Sequence, residues 1–151
     1  MTAASTIAVV SEQRYVKITR MFSGDDGQSH FEDLLLPIEE NTSHPCPTMV
    51  GRSIGFMASL PAEAVSFRVT PPGGDHQFHW SPGRAFQFTL SGLLELELGD
   101  GSLRRFGPGD VLLIDEQGRG QGHTSREIEP RLTLNVHLPI DLELPFVRAA
   151  S

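Results

Sequence analysis

Two histidines stand in stretches whose residue types could support a reaction. His79 lies in GGDHQFHWSPGRAFQFTLSG, residues 73–92, and His123 closes FGPGDVLLIDEQGRGQGH, residues 106–123. Imidazole exchanges its proton near neutral pH, so one ring can act as a base while another, protonated, acts as an acid. Two such rings in a partly dry pocket would suit elimination, isomerisation, epimerisation or cyclisation of a small organic molecule. Asp115 and Glu116 directly follow an apolar run on the way to His123, where a carboxylate can serve as a base or orient a histidine. Asp115 is the better candidate, because acids in turns often bond their own backbone and so stay near the rim. Both acids are also ordinary turn residues on the plainer reading.

The elements that must position these groups read as strands. Gln77, His79 and Ser81 alternate with His76, Phe78 and Trp80, which gives a strand one polar and one largely apolar row. Pro82-Gly83 ends that run. A second strand carries Phe86, Phe88 and Leu90 on one side and Ala85, Gln87 and Thr89 on the other, and Gly92 closes it. Leu94, Leu96 and Leu98 then alternate with Glu95 and Glu97, Gly99-Asp100-Gly101 signals a hairpin, and Gly107-Pro108-Gly109-Asp110 a turn. The apolar run from Val111 to Ile114 suits a strand covered on both faces. Arg14 to Phe22, Ser66 to Val69 and Arg131 to Leu138 are further strand candidates. Ile38 to Pro47 is loop-like, and the one candidate helical turn lies around Pro61 to Ala64. Many short strands separated by glycine and proline predict an all-β sandwich or barrel.

Composition narrows the function class. A chain of 151 residues is a single domain by size, with enough core to fold without disulfide support. One cysteine, Cys46, cannot form an internal bridge, and a reducing compartment is the simpler assumption. The run Ile7 to Val10 is too short for a membrane span or a signal-peptide core, so a cytoplasmic protein with no membrane partner is expected. The net charge of −7 and twelve scattered basic residues argue against a nucleic-acid partner. No glycine-rich phosphate loop before a helix and no Cys-x-x-Cys pattern is present.

The two stretches around the histidines together resemble the paired signature motifs of the cupin superfamily. That pattern runs from a glycine through His-x-His to a glutamate, with a glycine seven residues further on, and its second half ends in Gly-x-x-His. Seven residues before Gly92 stands Ala85 in the glutamate position, six before that His79, and Ser81 takes the place of the second histidine. The second motif maps from Gly109 to Gly120-Gln121-Gly122-His123 with a turn about three residues longer than usual. SGDDGQSHFEDLLLP, residues 23–37, is similar to the N-terminal arm of small bacterial cupins, many of which have no assigned reaction.

The resemblance implies a cupin double-stranded β-helix, a jelly-roll barrel. A single domain spans residues 1–151, with the barrel core at about 64–138 and an N-terminal arm over 1–50. It implies a homodimer, and it places His79, Ala85 and His123 around one barrel mouth. Two of the four usual metal ligands survive. Mononuclear transition-metal sites commonly take at least three protein donors, so no cofactor is expected. A divalent transition metal, if bound, would rest on His79 and His123, with His76, Gln87, Asp115 or His137 completing a rearranged site. His76 is a poor recruit, because three-residue spacing on a strand turns it away from His79.

The remaining candidates each have two readings. Ser81 faces the same way as His79. Gln87 and Thr89 either orient a ligand or pair with one another inside the barrel. Phe88 is a possible pocket wall, although it and Phe78, Trp80 and Phe86 also suit packing between sheets. Arg84 and Arg119 lie near turns where a guanidinium can hold a carboxylate, or are plain surface charges. His137 and Asn135 share a face open either to pocket or to solvent. Metal-independent proton transfer on a small neutral or mildly polar molecule, through His79 and His123, is the function expected, in a lyase, isomerase or cyclase. The alternatives are a metal-dependent cupin, such as a dioxygenase or metal-assisted isomerase, and a non-catalytic small-molecule binder.

Overall fold

The computed structural model describes residues 7–10, 13–41, 54–56, 59–74 and 77–148. His44, Cys46 and His76 lie outside them. The strands are β1 (Ile7–Val10), β2 (Gln13–Ser23), β3 (Ser29–Asn41), β4 (Ile54–Phe56), β5 (Ala64–Thr70), β6 (Gly73–Gly74), β7 (Ala85–Leu98), β8 (Leu103–Phe106), β9 (Val111–Asp115), β10 (His123–His137) and β11 (Val147–Arg148). Among the described residues there is no helix, so the protein is all-β.

The hydrogen-bonded order is β11-β3-β2-β9-β7-β10-β5, with β1 on β2, β4 on β3, β6 on β10 and β8 on β7. The sheet is mixed: β2 runs parallel to β9, and the other pairs are antiparallel. It does not close, because β5 pairs with β10 alone among the described residues.

Several local expectations are corrected. Gly92 does not close a strand; it sits inside β7 at φ +88, under Pro130 O and Arg131 Cα of β10, where an added Cβ would collide. The pairing of β7 with β10 shifts register near this point, between Glu127 and Thr133, and bulges of that kind bend a strand pair. The stretch 77–81 forms no full strand and makes one isolated bridge, His79 to His123, because Pro82 and Gly83 soon end its pairing. Residues 61–64 hold no helical turn, and Ala64 opens β5. The expected loop from Ile38 begins instead as the end of β3, which runs to Asn41; residues 42–47 lie outside the described ones.

Two apolar clusters occupy opposite faces of the sheet. Met21, Leu94, Leu96, Leu98, Phe106 and Leu112 form the inner one. The outer one holds Ile18, Leu36, Phe86, Val111, Leu113 and Leu138, with Phe88, Val136, Leu142, Leu144 and Phe146 against it. The chain after β10 therefore returns across the outer face. Strand β9 lies between β2 and β7 and feeds both clusters, Leu112 inward and Val111 and Leu113 outward, which is why its sequence is apolar without alternation.

Candidate functional site

A cavity of about 280 Å3 is bounded by β2, β5, β7, β9, β10 and the 79–81 stretch. Its floor is Met21, Leu94, Leu96, Leu112 and Ile114; its polar wall includes Arg68, Thr70, His79, Ser81, Gln87, His123, Ser125, Glu127 and Arg131. The sheet folds around it, since β7 contributes Gln87 and Leu96 from opposite sides of Gly92 and β10 contributes both His123 and Arg131.

The two histidines meet here through their backbones. His79 N donates to His123 O at 2.9 Å and His123 N to His79 O at 2.8 Å, a two-bond bridge that sets both side chains on one face. Gly122, at φ +82, makes this possible, because a Cβ there would occupy the position of His79 O. The ring centroids are 4.6 Å apart at an interplanar angle of 57°.

Glu116 organises the pair. Its side chain is fully buried, with His123 Nδ1 2.8 Å from Oε1. The Ser81 N–H donates to the same oxygen at 2.9 Å, and Ser29 Oγ donates to Oε2. Burial pushes the Glu116 carboxyl up, but the bonds from His123 and Ser29, the charge His123 can carry and the Ser81 N–H together outweigh it and hold the group below the usual carboxylate range. An ionised carboxylate only accepts, so this contact favours the tautomer of His123 with its proton on Nδ1 and the lone pair on Nε2. Gln77 O lies 3.2 Å from His79 Nδ1.

The turn after β9 delivers Glu116 to this place. Gln117 has φ 56, an uncommon conformation for a side-chain-bearing residue, and Gly118 follows at φ 70. The turn is fastened to its surroundings by Gly118 N donating to Ser81 O at 2.8 Å, Gln121 N to Gly27 O at 3.0 Å and Ser23 Oγ to Arg119 O at 2.7 Å.

Asp115, the acid favoured from sequence, faces the other way. Ile114 lines the cavity, so the next residue on the strand points to the opposite face. There the Asp115 carboxylate is buried between Arg20 Nε at 2.7 Å and Arg84 Nε at 2.9 Å, and accepts from Gln117 Nε2 at 2.7 Å. Arg84 also donates to the carbonyls of Leu142 and Ile140. Both residues thus fasten the returning C-terminal segment and lie away from the histidines.

The other candidates separate in the same way. Ser81 and Gln87 line the cavity, but Gln87 donates through Nε2 to Asn135 at 3.0 Å and accepts from Arg131 Nη1 at 2.8 Å. Arg131 in turn grips Glu127 through two bonds of 2.8 Å. Thr89 is buried beyond the cavity lining. Phe88 is no pocket wall: it packs in the outer cluster, on the face opposite Gln87. Arg119 is exposed on the turn, and His137 is exposed beside Ser66; neither reaches the cavity. Ala85 is buried but does not line it, and Phe78 and Trp80 are exposed rather than packed between sheets. Sequence reasoning missed Arg68 and Arg131 and ranked Glu116 below Asp115. The signal for Arg68 was present in the alternation of Ser66, Arg68 and Thr70 with Val65, Phe67 and Val69.

Among the described residues, no three His, Cys, Asp or Glu side chains are grouped to hold a metal. Both oxygens of Glu116 are already engaged, which leaves His79 and His123 as the donors among the described residues here, fewer than a mononuclear site commonly takes. These residues do not fit the metal centre that the cupin pattern implies.

Neither a family model nor a curated protein matches the chain. A solved structure, that of the conserved SPY1581 protein of unknown function from Streptococcus pyogenes, is similar over 54% of this chain and 70% of its own, at 22% identity and a TM-score of 0.38. A likeness at that level carries no argument about fold or function. Among the described residues no helix is long and apolar enough to cross a membrane.

The lowered Glu116 carboxyl makes stability depend on pH. Its contribution is fully present above the ordinary glutamate range and is lost as pH falls through the lower folded value. Urea unfolding at about pH 7 and about pH 3 tests this: the wild type should lose stability between the two. Glu116→Gln should start about 1–3 kcal/mol lower at neutral pH and lose less on acidification. The same acid-induced loss in both proteins would show that Glu116 does not carry the dependence.

Proposed function

We propose that this chain is a cupin-type small-molecule enzyme that moves protons without a metal, in reactions of the lyase, isomerase or cyclase kind. The observation that carries this reading is the facing pair of imidazoles over a cavity, with a buried carboxylate fixing one of them. With its Nδ1 against Glu116, His123 presents Nε2 as acceptor when neutral. Glu116 lies against Nδ1 of His123 and orients that ring, and His123 and His79 serve as the acid/base pair over the cavity. His123 is buried and His79 is exposed, so the pair stands at the cavity mouth with one ring open to solvent.

The test is proton exchange. A panel of small organic acids, hydroxy acids and ketones is incubated with the protein in deuterated water containing a chelator, and loss of substrate C–H signals is followed by NMR. At least one compound should exchange or convert, and His79→Ala and His123→Ala should each slow it by about 100-fold or more. Turnover that appears only with added iron, manganese, nickel or zinc would favour the metal-dependent cupin. Saturable binding without conversion would favour the non-catalytic binder.

The partner in this reading is a second copy of the chain. Among the described residues strand β5 pairs with β10 alone and ends the sheet, and its outward row Val65, Phe67 and Val69 is 63%, 69% and 75% exposed. That row lies beside Val136, Leu134 and Leu132 of β10, and no charged side chain interrupts it. An edge strand of this kind is self-complementary: two copies related by a two-fold axis can pair it antiparallel and cover both apolar faces. Light scattering should give twice the chain mass for wild type and the single mass for Phe67→Glu. A monomeric wild type at micromolar concentration would contradict the dimer.

A further inference from the structure

The cavity holds two guanidinium groups in different states. Arg131 is spent on Glu127 and Gln87, so its charge is cancelled within the wall. Arg68 has no ion pair or side-chain hydrogen bond among the described residues, whereas Arg20, Arg84, Arg104, Arg105, Arg126, Arg131 and Arg148 each contact a carboxylate. Arg68 sits on β5 opposite Thr133, in the inward polar row with Thr70, at the margin of the cavity that His79 and His123 overlook. Of the acids near the histidines, Glu127 is held by Arg131 and Glu116 by His123, Ser29 and Ser81. Glu116 does not line the cavity, so among the described charged side chains that do, Arg131 and Glu127 cancel and the charge of Arg68 is left.

We propose that Arg68 makes this cavity a receptor for small organic monocarboxylates, holding the carboxylate at the rim while the rest of the molecule lies over the apolar floor beneath the two histidines. The inference rests on the acid/base reading for the use of the site, and on Arg68 alone for the class of ligand. It replaces the neutral or mildly polar substrate expected from sequence. A planar guanidinium matches a carboxylate through two parallel bonds. The volume of about 280 Å3 lies just below the usual range of ligand cavities, about 300 to 1,000 Å3, and suits a small molecule. The apolar floor of Met21, Leu94, Leu96, Leu112 and Ile114 suits the hydrocarbon part of such a ligand.

Acid and amide pairs of equal shape isolate the charge. Binding of lactate against lactamide, and of butanoate against butanamide, is measured by saturation-transfer NMR, with inorganic phosphate as a further probe. The acids should bind at least tenfold more tightly than their amides. Arg68→Gln should remove that preference, Arg68→Lys should keep part of it, and Arg119→Gln, at an exposed site outside the cavity, should leave it intact. Wild-type-like circular dichroism of Arg68→Gln keeps the comparison valid, and the lysine variant reads the charge independently. Equal binding of acid and amide, a preference that survives Arg68→Gln, or binding of phosphate in place of the acids would overturn the proposal. Carboxylate preference without proton exchange would leave the receptor standing and remove the acid/base chemistry; exchange on neutral compounds alone would do the reverse.

Discussion

The buried carboxylate of Glu116 is the constraint on which the rest of this site depends. A charged group taken wholly out of water costs several kcal/mol unless its lone pairs are matched by donors. Here the donors come from three parts of the chain: Ser29 at the start of β3, the backbone of Ser81, and His123 at the start of β10. Removing any one leaves a buried oxygen short of partners, so the carboxylate joins these segments as firmly as an apolar contact would. The backbone bridge between His79 and His123 completes the arrangement and sets the two side chains on one face.

Neighbouring acids serve opposite faces. Asp115 closes the outer side by holding Arg20 and Arg84, and through Arg84 the segment that covers the outer cluster. Glu116 closes the inner side. Two consecutive carboxylates at the end of β9 thereby tie both layers of the sheet to one strand. The turn that follows reverses through left-handed backbone at Gln117 and Gly118, a local cost of about 1–3 kcal/mol at a residue such as Gln117 that surrounding bonds must over-determine. The bonds from Gln117 to Asp115, and from the turn to Ser81 and Gly27, do so.

Much of the strand order along the chain was legible, because glycine and proline mark turns and the Leu-Glu alternation of β7 fixes one face. The choice between Asp115 and Glu116 was not. Val111 to Ile114 is apolar on both faces, so nothing in the sequence sets the phase of β9, and a one-residue error exchanges the two acids. The Gly92 turn was misread for a related reason: a glycine at positive φ ends a strand or bulges it, and only the contact with Pro130 decides which. Arg68 escaped notice because β5 is patterned inside out. Both of its rows are largely exposed, and Arg68 and Thr70 of the polar row border the cavity, whereas the usual rule buries the apolar row. An inverted strand of this kind is what a ligand cavity on one side and a covered face on the other would require.

The most direct test of the account is the protonation state of His123, read by 15N NMR of histidine-labelled protein near neutral pH. If Glu116 fixes the ring, neutral His123 will carry its proton on Nδ1, with Nε2 showing the shift of an unprotonated ring nitrogen, and Glu116→Gln will redistribute the tautomers. A neutral His123 protonated at Nε2, or one whose tautomer ignores the loss of the Glu116 charge, would contradict the central claim that this buried carboxylate sets the histidine pair for proton transfer.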